Sequence, residues 1–238
     1  MTNDDIAYLP WRSAGFTFNA SKPFFDSDAY SISILKGLIT SSGGLTESTL
    51  KASQNSLFEY LSEMSKVKGA DGKIDTAAGI ASKKRFITKL SFIMESCHKQ
   101  DRVTVPLMKT LEMLLTSDYL ADDEVQADIL ELHRLCVAEC SKSKNIVKLM
   151  ASVGVFAGML CSSNADLCRK ALKTLLFLLY QAFPKVRKLA AEKLYTGLLT
   201  MEEYDHVIPG GEDAYDEVND LISETDWSQD VKALKAET

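Results

Sequence analysis

The sequence predicts an all-α protein, a HEAT- or armadillo-like α-solenoid of about five stacked helix pairs. Three observations predict it. Apolar residues recur every three or four positions almost everywhere after residue 28. No stretch alternates apolar and polar residues around hairpin turn chemistry. The helical segments also pair at a period of about 40 residues, which suits a stacked repeat.

Taken in order, residues 1–25 carry Trp11, Phe16, Phe18, Phe24 and Phe25. They read either as a disordered extension or as a cap over the exposed first repeat, since a solenoid end needs covering. Residues 26–200 form the helical-repeat domain. Its first helix follows the apolar run Ile32 to Ile39, and Gly43 and Gly44 suit a left-handed C-terminal cap. Thr46 then N-caps the second helix, with Leu45 and Leu50 as a hydrophobic staple. Residues 66–79, rich in Gly, Asp and Lys, break the pattern and read as a flexible loop. Within it, Asp71-Gly72-Lys73-Ile74-Asp75 lacks the remaining oxygen ligands and the terminal Glu of a calcium loop.

Further helices are expected at 82–97 and 103–116, 124–141 and 145–161, and 165–182 and 184–200. Phe86, Leu90 and Ile93 make one apolar stripe, Ile129, Leu132, Leu135 and Cys136 another. Ile146, Leu149, Val153, Phe156, Ala157 and Leu160 form a third. Pro106 is placed in a first helical turn, and Gly154 and Gly158 mark a close helix crossing. Residues 201–238 are an acidic helical segment, with a helix at 212–223 and a short one near Trp227.

The best single repeat match is Phe183-Pro184-Lys185-Val186-Arg187-Lys188-Leu189-Ala190-Ala191-Glu192-Lys193-Leu194. Pro184 starts the helix, Val186 and Leu194 face the core, and Ala190 and Ala191 allow close packing. Arg187 is expected to be buried and to pair with an acidic group of a neighbouring repeat, because a buried guanidinium needs a partner.

Composition narrows the function. The chain has 238 residues, is 46% apolar and carries a net charge of −6, so disordered, collagen-like and disulfide-scaffold classes are excluded. Five cysteines, no CxxC pair and no secretory leader point to a reducing, intracellular compartment. The uncharged run Leu149 to Ala165 falls about a residue short of the roughly 18 needed to suggest a span, so no membrane insertion is expected. Nucleic acid is a poor ligand for so acidic a chain. Charge is nonetheless segregated. Residues 142–200 hold ten Lys or Arg against Asp166 and Glu192, a net of +8. Residues 201–238 hold twelve Asp or Glu against Lys232 and Lys235, a net of −10. Lys170, Lys173, Lys185 and Lys188 therefore read either as a solvated face or as a surface for an acidic partner.

No catalytic, cofactor-binding or metal site is expected. His133, Cys136 and Cys140 share a helical face, but zinc would need a fourth ligand, and Ile129 and Leu132 on the same stripe favour an ordinary core. Cys97 and His98 are adjacent on a helix and point about 100° apart, so they cannot share a proton. No GxSxG, GxxxxGK[ST] or GxGxxG motif occurs.

Four ordered blocks carry a resemblance. They are Ser41-Ser42-Gly43-Gly44-Leu45-Thr46-Glu47-Ser48-Thr49-Leu50 with Gln54 to Tyr60, then Val103 to Leu111, then Phe183-Pro184 with Val186-Arg187-Lys188 and Tyr195, then Asp216-Glu217-Val218 with Leu221 to Ser223 and Thr225 to Trp227. Together they resemble the C-terminal domain of the tubulin-folding cofactor D family. Members of that family are much longer HEAT solenoids, so the chain looks like their C-terminal part. The resemblance implies a cytoplasmic, non-enzymatic chaperone that binds β-tubulin or the αβ-tubulin heterodimer. It implies cofactors E and C and an Arf-like small GTPase as partners, a contribution to stimulated GTP hydrolysis by tubulin, and a place at the microtubule cytoskeleton or the centrosome. A generic HEAT adaptor for a different protein, or an enzyme using the thiols, would be the alternatives.

Overall fold

A computed structural model of the chain describes residues 27, 30–42, 47–64, 66–68, 72–201, 208, 210–229 and 234. Among the described residues there are nine α-helices and no strand; one isolated antiparallel bridge joins Lys68 and Ile74. The chain divides into two compact units, Met1–Thr110 and Leu111–Thr238. The helices are α1 (Ser31–Ser42), α2 (Glu47–Met64), α3 (Thr76–Ser96), α4 (Asp101–Leu115), α5 (Gln126–Cys140), α6 (Ile146–Leu160), α7 (Ala165–Leu178), α8 (Pro184–Leu199) and α9 (Gly211–Glu224). The first unit runs through Thr110 within α4, and the second starts at Leu111.

Four local expectations change. Helix α3 starts at Thr76, not at 82, because Asp75 is a true N-cap: its Oδ1 accepts the Ala78 N–H at 3.0 Å. Helix α4 starts at Asp101, which puts Pro106 inside the helix and not in its first turn. Near Trp227 the backbone forms a turn in place of a short helix. Helix α6 is buried on nearly every side, where a single apolar stripe is expected. The extension at 1–25 and the capping residues Gly43, Gly44 and Thr46 lie outside the described residues.

In the first unit α1 packs on α2 and α3, and α2 packs on α3. Leu35, Leu38 and Ile39 of α1, Leu57 and Leu61 of α2, and Phe86, Leu90 and Ile93 of α3 are all buried. The rings of Tyr60 and Phe86 are 6.3 Å apart and tilted by 60°.

In the second unit α6 contacts α5, α7 and α8, while α5 also meets α7, α7 meets α8, and α8 meets α9. Each of α5 and α6 thus touches the next helix and the one after it. The uncharged run that falls just short of a membrane span is the helix at the centre of this pattern. Fully burying a side chain such as Phe156 there contributes about 2–3 kcal/mol. Close approach depends on glycine. A Cβ at Gly158 would stand 2.7 Å from Leu115 Cβ, and one at Gly154 would stand 2.1 Å from the Glu112 carboxyl carbon. Glu112 lies across α6 and pairs with Lys193 at 3.6 Å. A buried ion pair closes the other end of α6: Lys148 Nζ is 2.5 Å from Glu139 Oε1, with side chains 4% and 0% exposed.

Arg187 is 1% exposed, as expected, but no acidic partner meets it among the described residues. Its Nε donates to the Trp227 carbonyl at 3.1 Å, Nη1 to the Gln181 carbonyl at 2.6 Å, and Nη2 to the Gln229 carbonyl. The fork geometry of guanidinium reaches three divergent carbonyl dipoles, and together these replace a carboxylate. Trp227, 8% exposed, donates Nε1–H to the Ile222 carbonyl at 2.8 Å. The Tyr215 hydroxyl donates to the Leu198 carbonyl at 2.8 Å, beside the Met201 N–H that the same carbonyl accepts at the end of α8. The acidic segment is thereby fastened to α8 at both ends of α9.

This packing makes stability testable at three positions. Replacing Gly158 by Ala should cost about 1–3 kcal/mol in urea denaturation, because Leu115 Cβ is not a flexible tip and must move with its backbone. Replacing Gly154 by Ala should stay within about 0.5 kcal/mol of neutral, since the Glu112 carboxylate can swing away and Ala favours helix. Equal costs would show that the close approach is not backbone-limited. Replacing Arg187 by Ala should cost about 3 kcal/mol or more, leaving three carbonyls without their donor. In a Trp11→Phe background the same change should red-shift the Trp227 emission, and unchanged emission would separate Arg187 from the docking of residues 225–229. Replacing Arg187 by Lys should recover only part of the loss.

Candidate functional site

The residues singled out for chemistry are used for packing. His133 Nε2 lies 3.1 Å from Thr174 Oγ1, whose own proton goes to the Lys170 carbonyl at 2.8 Å, and the imidazole stands edge-on to Phe156 with ring centres 5.3 Å apart. Burial pushes the Cys136 thiol well up and holds Cys140 up to about 11. Cys168, also raised to about 11 by burial, donates its thiol proton to the Leu160 carbonyl at 3.0 Å. These three thiols stay protonated near neutral pH, which removes the thiolate a nucleophile or metal ligand needs. Among the described residues no group of three or more His, Cys, Asp or Glu is placed to hold a metal ion. No helix among them is long and apolar enough to cross a membrane.

The four predicted lysines are all exposed, and the fold divides them. Lys170 and Lys173, on α7, border a groove of about 390 Å³ between α5 and α7. Its floor contains the buried Leu149, Phe156 and Leu178, and its walls carry Val137 and Phe177, which are 38% and 64% exposed. An adjoining cleft of about 510 Å³ extends it over Leu130 and Arg134, sharing His133, Val137 and Lys170. Lys170 Nζ reaches Asp166 Oδ2 at 2.8 Å, and this hydrogen bond holds the Asp166 carboxyl below its usual range.

Lys188, on α8, borders a different depression of about 260 Å³ with Tyr195, Ile222, Asp226 and Trp227. Asp226 accepts from the Ser228 hydroxyl and backbone N–H at 2.5 and 2.9 Å; these bonds first, and nearby Lys188 second, lower its pKa. Lys185 sits in the first turn of α8 and lines neither groove. Pro184 opens that helix as expected. The exposed Val137 and Phe177 and the buried Lys148–Glu139 pair were not legible in the sequence as site features. Phe177 sits in the run Leu175 to Leu179, where apolar neighbours hide which side chain faces out.

Burial holds the His133 pKa below the ordinary 6.5; the Lys170 carbonyl opposes the shift, the Lys170 ammonium adds to it and Asp166 opposes it. The native state therefore binds fewer protons than the unfolded chain in mild acid. The sign follows from linkage: the stability is fully present above about 6.5 and is lost as pH falls through the depressed native value. Replacing His133 by Gln keeps a group able to meet Thr174 and removes the titration. Urea denaturation from about pH 7.5 to about pH 5.5 should show a smaller loss in H133Q than in the parent. Identical pH dependence would overturn this assignment.

A family model described as tubulin folding cofactor D C terminal matches residues 1–148. The matched range ends at Lys148, early in α6, so Lys170, Lys173, Lys185, Arg187 and Lys188 lie beyond it. No solved structure matches the chain. With well over half of its length accounted for by that model, the chain belongs to the tubulin folding cofactor D C-terminal family.

Proposed function

We propose that the chain is a non-enzymatic tubulin-folding cofactor that binds tubulin and its fellow cofactors during assembly and disassembly of the αβ-tubulin heterodimer. The observation that carries this reading is the family match over residues 1–148. In this reading the partners are β-tubulin or the heterodimer, cofactors E and C, and an Arf-like small GTPase. The chain contributes to stimulated GTP hydrolysis by tubulin as a binding component without an active site of its own. It works in the cytoplasm and at the microtubule cytoskeleton, including the centrosome.

The architecture proposed for this role is a HEAT-like stack. Its support in the second unit is the contact of α5 with α7 and of α6 with α8, the relation that successive helix pairs have in a solenoid. Such a stack offers a broad surface to a protein partner. The net charge of +8 over residues 142–200 favours an acidic one, and Lys170, Lys173, Lys185 and Lys188 are the proposed contact residues.

The test is co-elution with native tubulin on a sizing column at low and moderate salt. The parent chain should form a complex that weakens with salt, and changing all four lysines to Glu should abolish it while circular dichroism stays unchanged. Absence of any complex with folded parent chain would overturn direct tubulin binding.

A further inference from the structure

We infer that the groove between α5 and α7 is a docking site for an acidic amphipathic helix of a protein partner. The inference rests on the partner-binding reading above and narrows it to one groove and one ligand chemistry. In the second unit, Val137 and Phe177 expose apolar surface on facing walls above a buried apolar floor. Apolar side chains presented into a concavity are the usual mark of a groove that receives a partner's apolar stripe.

The charge of the lining selects the partner. Among the described residues, two lysines and no carboxylate line the groove beneath Val137 and Phe177. Lys170, Lys173 and Phe177 step by three and four along α7, so one wall presents two ammonium groups followed by an aromatic ring. Lys173 makes no ion pair among the described residues, and Lys170 has only the exposed Asp166. The His133 imidazole between the walls is held by Thr174 and adds no negative charge. In the adjoining cleft, Glu131 and Arg134 pair with each other at 2.5 Å and cancel.

The described part of the chain's own acidic segment does not compete for this groove. Helix α9 packs on α8, and residues 227–229 are held there by Arg187. Among the described residues only Asp166 meets these lysines, and the remaining complementary charge is assigned to another protein. In the proposed complex the leucine stripe of the partner helix packs on Val137 and Phe177, and glutamates beside that stripe meet the lysines.

The probe is a fluorescein-labelled helical peptide with a leucine stripe flanked by glutamates, read by anisotropy against the full chain. A second peptide carries the same leucines flanked by lysines. The glutamate peptide should bind and the lysine peptide should not. Phe177→Ser and Lys173→Glu should each weaken the glutamate peptide by about tenfold or more, while Lys144→Glu, at an exposed residue that lines neither the groove nor the adjoining cleft, leaves it unchanged. Lys173→Gln serves as a milder charge variant, and thermal melting confirms that each variant is folded. Equal affinity for both peptides, no loss in F177S and K173E, or an equal loss in K144E would overturn the inference. Native tubulin run against the same variants separates the two claims. Tubulin bound equally by parent and F177S overturns the groove as its site and leaves the proposed function standing. Peptide bound through the groove without any tubulin binding overturns the proposed function and leaves the groove standing.

Discussion

Arg187 joins two parts of the second unit that could otherwise separate. A buried guanidinium is costly unless its donors are filled, and here three carbonyls from two chain segments fill them. Gln181 lies just before α8, whereas Trp227 and Gln229 lie beyond α9, so one side chain fixes the return of the acidic segment onto the helix that bears it. Carbonyl dipoles hold the charge without carrying one, and this has a consequence for the acidic residues nearby. None of the described ones is consumed as the counterion of Arg187, and Asp226 stands beside Lys188.

The same economy of polar groups runs through α6. This helix can be apolar nearly all round because its only charge, Lys148, is matched by Glu139 and because glycines let its neighbours approach closely. Breaking either half of that pair would strand a buried charge, which is far costlier than losing an exposed pair such as Lys170–Asp166. Among the described residues, the core of the second unit is thus apolar in bulk and carries its buried charged groups at two fixed points, Arg187 and Lys148–Glu139.

Helix existence and order were legible in the sequence because period and punctuation are local properties. Pro184 opens α8 and the stripe Ile129, Leu132, Leu135 and Cys136 is buried, both as read from spacing alone. Boundaries were less legible. Asp75 caps α3 within a stretch whose glycines suggest a loop, since a cap depends on one side chain's geometry. Arg187 shows the same limit at long range: spacing marks it as buried, but its partners lie up to 42 residues further along the chain and are backbone atoms that carry no sequence signature. The exposed Phe177 was hidden for the converse reason. In an apolar run, which residue faces outward is decided by the helices that pack against the others.

That division of faces explains how one basic stretch can serve two roles. Helix α8 turns its Lys188 side towards the chain's own acidic segment, whereas α7 turns Lys170 and Lys173 towards an apolar groove lined by no carboxylate among the described residues. Charges on adjacent helices sit within about a Debye length of one another, so part of the field of the +8 segment is offset by α9 before any partner arrives. The offset is strongest on α8, where Asp226 stands beside Lys188. On α7, Lys170 and Lys173 stand beside exposed Phe177. Electrostatic steering and apolar anchoring then coincide on a single groove, and an acidic partner is drawn to the place where it can also bury hydrophobic surface.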